Sequence, residues 1–135
     1  MRVTIITLAL LGIVVSGYSW YLHESETTET FCDISATFSC SIVNKSVYSE
    51  FANVPVAAIG FFGYIFLLLL ASQKQIPWRY LFAAGLLGVV FSLYLTWVEY
   101  AVLKAWCLFC LISQADIFTV ALLAGMQYAR RASRE

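Results

Sequence analysis

The sequence predicts an all-α membrane protein: a four-transmembrane-helix bundle with an outer loop carrying two cysteines. Three observations predict it. Of 135 residues, 61% are hydrophobic and 12% are charged, against roughly 45–50% and about 25% in soluble domains. Four apolar runs each approach the ~20 residues that a helix needs to cross the hydrocarbon core. Aromatic residues gather near the run ends, as they do at membrane–water interfaces. Mean hydropathy is +0.82. Formal net charge is zero, so bulk charge points to no nucleic-acid partner.

The first run covers residues 3–21. Arg2 followed by an apolar stretch resembles a signal peptide, but the run closes on Tyr18, Trp20 and Tyr21 instead of a small-residue cleavage site. It therefore reads as a retained span. The second run, 54–72, starts at Pro55, and the third, 80–103, follows Pro77. A missing N–H is harmless at a helix start. Trp78 and Tyr80 mark one end of the third run, and Trp97 and Tyr100 mark the other. The fourth run, 107–128, lies between Trp106 and Tyr128. Gly60, Gly63, Ala84, Gly85 and Gly88 are small residues that let helices approach closely. No repeat or low-complexity segment interrupts the pattern, so residues 1–135 read as one integral membrane domain.

Lys and Arg set the orientation. Four spans put both termini on one side, together with Arg2, Lys74, Arg79, Arg130, Arg131 and Arg134. The other side keeps only Lys45 and Lys104. Both termini are expected in the cytoplasm, and the loop 23–53 is expected outside. All four cysteines then fall on the outer face: Cys32 and Cys40 in the loop, Cys107 and Cys110 at the start of the fourth run.

Outside the cytoplasm cysteines can form and keep disulfides. The plain alternatives to redox work are two structural disulfides and a four-cysteine zinc site. Three points favour redox work. A C-x-x-C closes too small a loop to constrain the unfolded chain much, yet it is a usual redox motif. Cys107 sits at a helix start, where the dipole favours thiolate, the species that attacks a disulfide. Cys110 lies one turn deeper on roughly the same face, within reach of an oxidant dissolved in the bilayer, and the abundant membrane-soluble two-electron carriers are quinones. Zinc prefers two close-spaced pairs, which the seven residues between Cys32 and Cys40 fit poorly.

Several segments together carry a family resemblance. They are "CDISATFSCSIV" in the loop, "VPVAAIGFFGY" at the second run, "SLYLTW" from Ser92 to Trp97, and the C-x-x-C ten residues after Trp97. In order and spacing the chain resembles the vitamin K epoxide reductase family of integral membrane thiol oxidoreductases with a four-helix core. The resemblance implies an electron route. Cys32 takes electrons from a separate thioredoxin-like dithiol partner. Cys40 relays them to Cys107 through a transient disulfide. Cys110 faces the quinone and reduces it. It also implies an enzyme: a quinone-dependent, disulfide-generating oxidoreductase using ubiquinone, menaquinone or a vitamin K-type quinone, with no metal.

Two departures bear on the substrate. The animal enzymes hydrogen-bond vitamin K through a tyrosine, where this chain has Gln114, and through an asparagine, where it has Val56. Epoxide reduction is thereby less expected than quinone reduction in a prokaryotic cell membrane. Gln114 is either a hydrogen-bond donor to a quinone carbonyl or a bond to a neighbouring helix. Phe61, Leu95, Phe109 and Gln114 are the residues expected around the quinone. Asp116, an intramembrane acid, is either a proton source or a neutral carboxyl bonded to Ser or Thr. Glu99 is expected simply to reach the interface, and His23 to be solvated. The segment "SIVNKSVYSEFA" has the spacing of a short amphipathic helix over the site. Two rival functions stand beside this one: a structural four-span protein with static disulfides, and a thiol oxidase of an unrelated four-helix fold.

Overall fold

The computed structural model describes residues 1–24, 33, 35, 37–39, 47, 50–51 and 53–135. Cys32, Cys40 and most of the segment expected as an amphipathic helix lie outside the described residues. Among the described residues the chain is almost wholly helical. The helices are α1 (Arg2–Glu24), α2 (Val56–Ser72), α3 (Trp78–Val98) and α4 (Leu108–Ala132). A five-residue π-helical turn, Glu99–Leu103, continues α3. A two-residue antiparallel pair, β1 (Glu50–Phe51) with β2 (Val54–Pro55), leads into α2.

Both α2 and α3 begin directly after a proline, Pro55 and Pro77, where the absent N–H removes no bond from the helix. Arg2 closes the far end of α2. Its guanidinium donates to Gln73 O at 2.8 Å and Ile76 O at 2.6 Å, carbonyls just beyond the helix end, where the helix itself supplies no donors. The same group lies 4.8 Å from the centroid of the Trp78 ring, a cation–π contact. One side chain thus ties α1, the end of α2 and the start of α3 together.

The helices α1, α3 and α4 are long and apolar enough to cross a membrane, and α2 is a shorter apolar helix of 17 residues. At ~1.5 Å per residue, α2 is roughly 26 Å long, close to the ~30 Å hydrocarbon core. Apolar side chains also point outward. Val14 on α1 is 68% exposed, Leu87 on α3 72% and Phe118 on α4 60%. Water would penalise so much contiguous apolar surface, whereas lipid does not. The molecule is therefore an integral membrane protein.

Packing pairs α1 with α2 and α3 with α4, and α1 also meets α4. The core contains Ile5, Tyr64, Leu67, Trp78, Leu81 and Val120. Glycines set the closest approaches. A Cβ on Gly85 would stand 3.0 Å from the Ala121 Cα, and one on Gly88 would stand 2.6 Å from Ile117 Cγ1, so the α3–α4 contact needs both positions bare. Gly63 is different: nothing lies within 4 Å of such a Cβ, because this residue borders a cavity.

Candidate active site

The cavity lies in the half of the bundle where α1 and α3 end and α2 and α4 begin. Its volume is about 340 Å³, within the range of small-molecule sites. All four helices contribute to its wall: Ser19 of α1, Val56 of α2, Leu95 and Thr96 of α3, and Phe109 and Cys110 of α4. The lining is mostly apolar with a few polar groups, the usual balance for a hydrophobic ligand that needs orienting.

The C-x-x-C sits at one end of this cavity. Cys107 is the residue before α4, with extended backbone (φ −101°, ψ 121°), and is fully buried. Cys110 falls in the first turn of α4, is half-buried and lines the cavity. The two cysteines pack together in one small cluster with Ala105 and Phe109. A short connection makes this possible. The π-turn ends at Lys104, whose left-handed backbone (φ 51°) reverses the chain into Ala105–Trp106.

The segment 37–39 docks on that connection. Ser39 N donates to Trp106 O at 3.1 Å, and Trp106 N donates to Thr37 O at 2.7 Å. These two bonds form a parallel bridge between Phe38 and Trp106. The Ser39 hydroxyl in turn donates to the Asp33 carboxylate.

Among the residues expected around the ligand, Leu95 and Phe109 line the cavity, while Phe61 and Gln114 stand outside the lining. Phe61 packs against Trp20, with ring centroids 5.9 Å apart, and against Phe62 at 5.5 Å. Gln114 Oε1 accepts a hydrogen bond from Thr96 Oγ1 at 2.7 Å, so this amide joins α4 to α3 and Thr96 is the group on the wall. His23 also differs from the solvated residue expected. Its side chain is 13% exposed, lines the cavity and pairs with Glu50 Oε1 at 3.3 Å.

Asp116 is 5% exposed, and neither carboxylate oxygen has a hydrogen-bond partner among the described residues. The hydroxyl of Tyr64, on α2, is committed elsewhere: it donates to Ser113 O at 2.9 Å. Among the described residues no serine or threonine bonds Asp116, unlike the bonded neutral carboxyl that the sequence allows.

Glu99 departs furthest from the sequence reading. It does not reach the interface: it is 3% exposed and lines the cavity. Its Oε2 accepts the Cys107 N–H at 3.3 Å, and the residue shares the cavity wall with Cys110. Its backbone is still regular helix (φ −59°, ψ −44°), and it falls in register with Ser92, Leu95 and Thr96, which line the same cavity.

The family comparison agrees with this geometry. The family model described as "Vitamin K epoxide reductase family" matches residues 3–125, which takes in all four helices and the C-x-x-C. The chain belongs to the vitamin K epoxide reductase family. Membership makes it a membrane-embedded oxidoreductase, of a family that acts on quinones and vitamin K. The site in this family member thus brings together a dithiol, an apolar cavity large enough for a quinone head group, and a buried carboxylate at their junction.

Proposed function

We propose that this family member carries electrons from a thioredoxin-like dithiol partner, through Cys32 and Cys40, to Cys107 and Cys110, and on to a membrane quinone. The partner leaves oxidised, ready to introduce disulfides into other proteins, and the quinone leaves as hydroquinone. The carrying observation is that Cys110 opens onto the cavity while Cys107 is buried beside it, away from the ligand space. A relay needs that division: one thiol for the incoming disulfide exchange and one for the acceptor. The docking of the loop supports the first exchange. Cys40 follows Ser39 in the sequence and Cys107 follows Trp106, so the bonded segments lead directly to the two cysteines that exchange.

A quinone is favoured over its epoxide by the wall itself. Val56, at the position of the animal enzymes' asparagine, lines the cavity with an apolar group. The excess of Lys and Arg on the terminal side supports cytoplasmic termini and an outer active site, as in a prokaryotic cell membrane.

The test uses Cys107→Ala and Cys110→Ala in the full chain, supplied with a reduced thioredoxin-like protein and a short-tailed benzoquinone. Both variants are expected to lose quinone reduction, and Cys110→Ala is expected to accumulate a Cys40–Cys107 disulfide seen by peptide mass mapping. Wild-type turnover in either variant refutes the route. A variant trapped only as Cys32–Cys40 refutes the relay between loop and helix.

A further inference from the structure

We infer that Glu99 is the proton acceptor of the Cys107/Cys110 dithiol and hands that proton to the substrate in the cavity. This deepens the proposed quinone chemistry and rests on it for the identity of the acceptor. Closing a dithiol to a disulfide breaks two S–H bonds and forms one S–S bond. The electron pair and two protons convert a quinone to a hydroquinone. Electrons pass directly from sulfur, but a proton crosses a mostly apolar cavity most readily through a carboxylate at its wall. Glu99 takes the Cys110 proton and gives it to one quinone oxygen, ending as it began. The proton that leaves Cys107 balances the second oxygen.

Three observations converge on this carboxylate. It is buried within a span, where an ionisable side chain is costly to keep and marks function by default. It is bonded to the dithiol segment at Cys107 N–H and lines the same cavity as Cys110, so acceptor, dithiol and ligand space meet at one place. It also continues the helical row Ser92, Leu95 and Thr96 that lines the cavity, so the regular α3 backbone aims it at the ligand space.

The other titratable groups on the cavity wall are occupied. His23 of α1 pairs with Glu50, and Tyr64 of α2 donates to Ser113 of α4. Among the described residues no lysine or arginine lines the cavity. A purely structural reading makes Glu99 a cap for the start of α4, through the Cys107 N–H. The two roles separate cleanly, because Glu99→Gln keeps the size and an acceptor oxygen for that N–H but cannot take up a proton.

The experiment follows Cys107–Cys110 disulfide closure in the detergent-solubilised full chain by rapid alkylation and peptide mass mapping, across pH. Two oxidants are used: water-soluble diamide, which needs no quinone site, and a short-tailed benzoquinone. The wild-type rate is expected to rise with pH as Glu99 loses its proton. Glu99→Gln is expected to close about 100-fold more slowly with either oxidant and to lose that limb of the profile. Glu99→Asp is expected to recover part of the rate and keep the limb. Equal rates and profiles for wild type and Glu99→Gln overturn the inference. If wild type closes with diamide and not with the quinone, the proposed acceptor fails, and the diamide comparison alone decides the role of Glu99: slow closure in Glu99→Gln supports it, equal closure overturns it.

Discussion

Replacing Gly12 with alanine tests how α1 is seated against the site. The added carbon would lie 2.3 Å from Tyr64 Cε1, 2.4 Å from Cδ1 and 2.5 Å from Cζ. Non-bonded carbons rest at about 3.5–4.0 Å, so the ring or the helix must yield by more than ~1 Å. The ring has little freedom to do so. It is 4% exposed, and its hydroxyl is held 2.9 Å from Ser113 O and 3.0 Å from Ser113 Oγ. Overpacking of this kind costs about 1–3 kcal/mol, and the strained hydrogen bond adds roughly 0.5–1.5 kcal/mol. The expected loss is about 2–4 kcal/mol in equilibrium unfolding by sodium dodecyl sulfate in mixed micelles, read by tryptophan fluorescence. Gly63→Ala is the counterpart: with open space around it, it is expected to hold or gain up to about 1 kcal/mol from helix propensity. Truncating the obstacle with Tyr64→Leu should make the double variant at least ~1 kcal/mol more stable than the sum of the singles predicts. A Gly12→Ala protein that unfolds like wild type refutes this account of the α1–α2 contact, as does additivity within about 0.5 kcal/mol.

Arg2→Ala removes the cap on α2 and is expected to cost about 1.5 kcal/mol, the low end for bonds to a charged group because the site is partly open. Arg2→Lys should restore only part of it, since one ammonium cannot span the same carbonyls; full recovery in the same unfolding assay would deny the forked geometry. Gln114→Ala should cost about 0.6–1.7 kcal/mol, the worth of one helix–helix hydrogen bond in a membrane, and should leave the quinone KM within about twofold because the amide does not line the cavity. A tenfold rise in KM would show that Gln114 reaches the substrate. Asp116→Asn is expected to change unfolding stability by no more than about 0.5 kcal/mol, since the carboxylate has no bond among the described residues to lose. A loss beyond 2 kcal/mol, measured by thermal unfolding in detergent, would reveal a partner for it.

Much of the architecture is legible in the chain. The apolar runs, their flanking aromatics and the two prolines mark helices whose ends fall within a few residues of the expected runs. The C-x-x-C at the start of the last run stands where a helix begins, because helix onset after a reversal depends on local sequence. The pocket residues were harder to read. Leu95 and Phe109 line the cavity, whereas Phe61 and Gln114 turn to neighbouring helices. Aromatic residues make up 16% of the chain, so residue type alone does not distinguish a ligand wall from ordinary packing. Glu99 carried one usable signal, an acid inside an apolar run, and its position near the run's end disguised it.

Membrane insertion and helix number follow from the sequence alone, because hydropathy is a local sum and a span admits only hydrogen-bonded helix. Tertiary structure decided which faces meet. It set Gly85 and Gly88 against α4, left Gly63 open, and turned Cys110 toward a cavity while burying Cys107. It also placed Glu99 against the Cys107 backbone by packing the end of α3 on the start of α4. The physical reason is rotational: a shift of one residue in helical phase moves a side chain by about 100°. Only the packed neighbours determine where that rotation comes to rest.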